Sequence, residues 1–117
     1  PEISAVTDAL KTIKLAEQED KQIKGLIITR YTGKNHEMSV DNILDMLEIP
    51  ILGIIPEDEA IKKSQIMKNS VIHTHPKSIA ARNYIVAARR IIGENLELEE
   101  HIKSGLFKRF LRSVGFR

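Results

Sequence analysis

The sequence predicts an α/β fold, a mostly parallel sheet flanked by helices, with a C-terminal amphipathic helix set apart from it. Three observations predict this. Residues 25–29 (GLIIT) and 51–55 (ILGII) are apolar with hardly any alternation, the pattern of strands covered on both faces. Segments with helical spacing precede, separate and follow these runs. Residues 105–117 hold all three phenylalanines of the chain and no acid.

Taken in order, Pro1 and Glu2 suit a first helical turn, and Ile3, Val6, Ala9, Leu10 and Ile13 then recur at helical spacing as far as Glu17. Charged residues 19–24 form a turn before the first strand. Ser39 is placed to cap a second helix through Glu48, with Val40, Ile43, Leu44 and Leu47 on one face and Pro50 ending it. The second strand closes at Pro56. A helix over 57–63 follows, then an irregular stretch with a short strand at Val71 and Ile72. The last helix of the body runs from Ser78, its cap, to Ile92, with Gly93 as its stop. Its expected buried stripe is Ile79, Ala80, Tyr84, Ala87, Ala88, Ile91 and Ile92.

Two or three doubly apolar strands do not complete a parallel sheet, because a strand pair alone is marginal and its open edges and faces need covering. The chain also opens on proline rather than methionine. The expectation is therefore the C-terminal part of a longer α/β chain, residues 1–104, followed by a tail at 105–117. The alternative is a small autonomous α/β domain that closes its sheet by dimerisation.

Composition narrows the function classes. The chain has 117 residues, the size of one domain, and no cysteine, so disulfides and thiolate metal sites are excluded. No run approaches the roughly 20 apolar residues that span a bilayer. The formal charge is +2, but four of the 18 cations and none of the 16 acids lie in 105–117, which leaves residues 1–104 at −2. Nucleic-acid binding would need a basic face on the body, and none is visible. His73 and His75 flank Thr74, yet a metal site needs further ligands and no third one stands nearby, so no metal site is expected. Glu57, Asp58 and Glu59 read as a solvated helix start rather than catalytic carboxylates, and no catalytic residue is expected.

Ligands of open parallel sheets bind at the carboxyl ends of the strands, which directs attention to Arg30 and to Pro56, Glu57 and Asp58. Arg30 offers a planar guanidinium able to stack on a heterocycle, and Pro56 fixes the backbone beside it. On physics alone this is either a base-binding pocket or a surface arginine beside an acidic helix start.

The tail is more explicit. At about 100° per residue, Leu106, Phe107, Phe110, Leu111 and Val114 fall within an arc of roughly 140°, with Lys108, Arg109 and Arg112 opposite. A bulky apolar face against a cationic one marks a helix that lies on an anionic membrane surface. Docking on the protein's own body, or in a partner's groove, are the other readings. Its cations contribute about 1 kcal/mol each at an anionic leaflet, and its five apolar side chains about 1.5 kcal/mol apiece. Ordering a dozen residues costs about 1 kcal/mol each. The balance lies near zero, so one tail binds reversibly, whereas two tails on a dimer gain avidity of about 10²-fold.

The succession PEISAVTDA, GLIITRY, EMSVDNILDMLEIPILGIIPED, HPKSIAARNYIVAARRIIGE and GLFKRFL resembles the C-terminal half of a MinD-type ATPase, of the ParA/MinD branch with the deviant Walker A motif. The resemblance covers almost the whole chain. It implies a P-loop NTPase-like fold that binds ATP and Mg²⁺ between the protomers of an ATP-dependent homodimer, with Arg30, Pro56, Glu57 and Asp58 bordering the adenine base. It further implies a cytoplasmic protein, peripheral on the inner face of the cell membrane, that positions the division site together with regulatory protein partners. Where such proteins usually carry Gly-Pro before a Val-Val run, this chain has Asn69-Ser70 before Val71-Ile72. No Gly-rich loop with Lys-Ser or Lys-Thr occurs, so the chain alone is expected not to hydrolyse ATP. A reading from another class is a non-enzymatic α/β adaptor held to membrane or partner by its basic tail.

Overall fold

The computed structural model of the chain describes residues 1–93; the tail expected to bind membrane lies outside the described residues. The elements run α1 (Ile3–Gln18), β1 (Leu26–Tyr31), α2 (Val40–Leu47), β2 (Ile51–Pro56), α3 (Glu59–Ile66), α4 (Val71–Thr74) and α5 (Ile79–Ile91). Among the described residues the two strands form one parallel sheet, and α2 lies in the crossover that a parallel pair requires. Expected and observed elements agree from α1 to β2 within two residues at each end.

Local chemistry sets the helix ends. The Ser39 hydroxyl accepts the Asn42 N–H at 3.2 Å and starts α2. Glu48 ends it in the left-handed conformation, φ 53°, with its N–H on Leu44 O, two residues before Pro50. The same logic places Asp58 before α3, Ser70 before α4 and Ser78 before α5, each accepting a first-turn N–H.

The core lies between the sheet, α1 and α2. Val6 and Ile13 of α1, Ile28 of β1, Ile43 and Leu47 of α2, and Ile51 and Ile54 of β2 form one buried cluster. A smaller cluster joins Ala60, Val71 and Ala81 from α3, α4 and α5. Ile43, Ile51 and Ile55 are at most 1% exposed, and burial of each contributes about 1.5–3 kcal/mol.

Four expectations are corrected. Val71 and Ile72 are helical, not a strand, because the Ser70 hydroxyl accepts the Ile72 N–H and Val71 packs into the second cluster. The buried face of α5 is rotated from the expected stripe: Ala80, Ala81 and Ala87 are buried, while Ile79, Ala88, Ile91 and Ile92 are exposed. The cause is close packing on β2, where helix and strand approach too near for larger side chains. Ile3 is 67% exposed rather than part of the buried stripe of α1. Finally, only β2 is covered on both faces; in β1 Ile28 alone is buried, and Ile27, Thr29 and Arg30 are exposed.

Candidate functional site

Both strands run the same way, so their carboxyl ends share one edge of the sheet. Tyr31 stands opposite Pro56, and the Glu57 N–H donates to Tyr31 O at 3.0 Å, continuing the pairing past the end of β2. The loops after β1 and β2 thus start side by side, and Arg30, Pro56 and Glu57 come together as the sequence suggested.

The ladder is irregular there. Ile28 pairs with Ile54 and Tyr31 with Pro56, so Thr29 and Arg30 together oppose Ile55 alone. Arg30 absorbs the extra residue by taking φ 54°. That left-handed conformation costs a non-glycine residue about 1 kcal/mol or more. Bulges of this kind re-aim side chains at strand ends, and Arg30 emerges exposed at the rim of a groove of about 760 Å³ that Glu57 also lines. Pro56 and Asp58 do not line it.

Asp58 has a different task. Its Oδ1 accepts the Ala60 N–H at 2.9 Å, and its Oδ2 accepts the Ala80 N–H at 3.1 Å. One carboxylate therefore caps α3 and also binds the first turn of α5. Both oxygens are engaged with the backbone, and that places the Asp58 side chain in the scaffold of the site.

Two features escaped the sequence reading. The first is a clamp directly after β1. The Glu37 carboxylate accepts the Thr32 N–H (3.1 and 3.0 Å), the Thr32 hydroxyl (2.7 Å) and the Gly33 N–H (2.9 Å). Gly33 takes φ 71°, which favours glycine at this turn. Desolvation pushes the Glu37 carboxyl upward, but the Thr32 hydroxyl and the Thr32 and Gly33 N–H groups outweigh it and hold Glu37 below its ordinary value. The clamp fixes the segment into which Arg30 and Tyr31 lead. A Thr-Gly pair with an acid five residues on was the available signal, and by itself it is weak.

The second feature is Lys62, which reaches back from α3 to Glu59 Oε1 at 3.0 Å and to Glu57 Oε1 at 3.9 Å. The hydrogen bond to Glu59, then the charges of Glu59 and Glu57, hold this exposed ammonium above its ordinary value, with slight desolvation and Arg30 opposing. Lys62 and Glu59 do not line the groove, so this ion pair reaches the site only through Glu57. Among the described residues no group of three or more His, Asp or Glu is arranged to hold a metal ion, and no helix is long and apolar enough to cross a membrane.

A parallel strand pair joined through a helix, with both following loops at the carboxyl edge, is the α/β class of domain in which ligands bind at that edge. The chain belongs to the CobQ/CobB/MinD/ParA nucleotide binding domain family, whose profile matches residues 2–71. It is 35% identical over 123 residues to the septum site-determining protein MinD of Neisseria meningitidis, a match covering 93% of this chain and 45% of that protein. Among solved structures it resembles MinD of Pyrococcus horikoshii complexed with Mg-ADP (27% identity, TM-score 0.74, 80% of this chain and 38% of that one). It also resembles MinD in the MinC:MinD cell division complex of Aquifex aeolicus (32% identity, TM-score 0.75, 85% and 42%). The chain spans less than half the length of these proteins.

Proposed function

We propose that this chain acts as the C-terminal part of a MinD-type ATPase, residues 1–104 supplying the adenine side of the nucleotide site and residues 105–117 the membrane contact. The observation that carries the reading is the junction of Arg30-Tyr31 with Pro56-Glu57 at one sheet edge, in a chain of this family. Arg30 fits a base: its guanidinium is exposed, planar, and presented by a bulge with no hydrogen-bond partner among the described residues. Pro56 and Glu57 offer backbone groups beside it, and Asp58 and Glu37 brace the two loops. When bound, ATP with Mg²⁺ brings the phosphoryl group to be transferred. The residues present here hold the base end, since the sequence contains no phosphate loop.

The larger reading is a cycle between a soluble form and an ATP-bound dimer on the inner face of the membrane, which recruits regulatory proteins for division-site placement. Its support is the kinship with MinD proteins, one of which is seen with Mg-ADP and another with MinC. The deciding measurement is ATP binding by the complete gene product, with and without Arg30→Ala, beside this 117-residue chain. Weakening by about tenfold in Arg30→Ala supports the base site; unchanged affinity removes Arg30 from it. The second reading is a non-enzymatic α/β adaptor held to membrane or partner by its basic tail. No ATP binding by the complete product would establish that one.

A further inference from the structure

The charge of the body is sorted by layer. Between Ala60 and Gly93 stand seven lysines and arginines and no acid, whereas residues 1–59 hold twelve acids and six cations. The fold keeps the two sets apart. Gly53 of β2 faces Ala87 of α5, and Ile54, the next residue along, joins the core with α1 and α2, so α5 covers the opposite face of the strand. α3 and α4 pack against α5 through Ala60, Val71 and Ala81, and this layer carries no acid after Glu59. At about 100° per residue, Arg82, Ile85, Arg89 and Ile92 fall within an arc of roughly 80°, opposite the buried Ala80 and Ala87. The outward stripe of α5 thus alternates cation and aliphatic side chain, and it ends on Ile92, which is 75% exposed. In the same layer α3 ends in Ile66 and Met67, 82% and 61% exposed, beside the exposed Lys63 and Lys68.

We infer that the outward stripe of α5 is a second membrane contact, and that its partner is the anionic headgroup layer of a bilayer. Charge complementarity selects an anionic partner, and the apolar component selects lipid. Aliphatic side chains set between cations enter the boundary of headgroups and acyl chains while the cations meet phosphate. A nucleic-acid strand asks instead for exposed aromatic rings to stack on, and the tyrosines of the described residues, Tyr31 and Tyr84, are partly buried against the two core clusters. In the sequence Glu94, Glu97, Glu99 and Glu100 separate this stripe from the cations of 105–117, so it is a basic patch of its own and not the start of the tail. The inference rests on the proposed membrane role for where the chain works, but on different residues. Contact through α5 fixes which side of the body meets the lipid, and the acidic layer of α1 and α2 then faces away from it.

The test measures binding of the intact 117-residue chain to phosphatidylcholine vesicles with and without phosphatidylserine. Arg82→Glu with Arg89→Glu should weaken binding to the anionic vesicles about tenfold or more, and the corresponding pair of glutamine substitutions should fall between that variant and wild type. Lys11→Glu with Lys14→Glu makes the same change in net charge at exposed positions of α1 and should alter binding by no more than about twofold. Because the chain has no cysteine, an environment-sensitive dye on Ile85→Cys reports contact directly. It should brighten on anionic vesicles, whereas a dye on Leu15→Cys of α1, 59% exposed in wild type, should not. Circular dichroism verifies that each variant is folded, and the glutamine pair decides if the glutamate pair is not. Wild-type binding that is absent, or unchanged by the substitutions at Arg82 and Arg89, overturns the inference. Equal weakening by the α1 pair overturns it as well, since the effect would then be one of net charge. Duplex DNA binding that is lost with Arg82 and Arg89 while vesicle binding persists would assign the face to nucleic acid. Phe110→Glu keeps the two contacts distinguishable: if it leaves vesicle binding intact while the Arg82 and Arg89 variants weaken it, the tail reading falls and this one stands, and the reverse result removes this face and keeps the tail.

Discussion

Gly53 of β2 lies directly beneath Ala87 of α5: a Cβ at position 53 would stand 2.8 Å from the Cβ of Ala87, closer than carbons pack. Gly53→Ala should therefore force α5 off the sheet and lower stability by about 1–3 kcal/mol, the range for overpacked cores. Urea denaturation checks this. Ala87→Gly alone should cost about 1 kcal/mol through helix propensity, and the double variant should be less destabilised than the two single effects added together.

Asp58→Ala removes two first-turn acceptors at once. The expected loss is about 1 kcal/mol for each cap, and amide exchange should rise at both Ala60 and Ala80. Asp58→Asn keeps one carbonyl oxygen and should fall between wild type and alanine. Faster exchange at Ala60 alone would show that the contact with α5 carries no weight.

Glu37 predicts an acid-side instability. Its carboxyl is held below its ordinary value in the folded chain, so the clamp's stabilisation is present above the ordinary carboxylate range and is lost as pH falls through the folded value. Wild type and Glu37→Gln should differ most near neutrality and converge in acid. Chemical denaturation between pH 7 and pH 3 reads the difference; curves that stay parallel would contradict it.

Arg30 should show opposed effects on stability and binding. Arg30→Gly relieves the left-handed backbone and should stabilise the fold by about 1 kcal/mol, whereas Arg30→Ala should not. Both variants should weaken ATP binding by the complete gene product. A glycine variant that is more stable and binds equally well would separate the strained bulge from any role in nucleotide recognition.

The tail is tested on liposomes containing anionic lipid. Intact protein with ATP should sediment with them more strongly than with ADP, and Phe110→Glu should abolish the difference by placing a charge in the middle of the apolar arc. Equal sedimentation in all three conditions would remove the membrane role.

Much of this architecture was legible in the sequence. Ser39, Ser78 and the unbroken ILGII run announce their elements through local chemistry, and the parallel pairing follows from strands separated by a helix. Arg30, Pro56 and Glu57 were singled out because the carboxyl edge of a parallel sheet is where ligands go, and they lie side by side at that edge. What was hidden depends on distance in space. Asp58 reads as part of an acidic helix start, and nothing local reveals that it caps α3 with one oxygen while the other binds an N–H 22 residues away. The rotated face of α5 was hidden for a related reason: burial there is decided by how near Gly53 lets the helix approach, not by which side chains are most apolar. Val71-Ile72 misled because β-branched pairs favour strands, and the Ser70 cap outweighed that preference.

The double grip of Asp58 gives the domain a mechanical property. α3 and α5 begin from one pin, so the loop after β2 does not shift without levering both helices. α5 is also the helix that leads out toward residues 94–117. Whatever settles against Pro56 and Glu57 therefore bears on the first turns of both helices through Asp58.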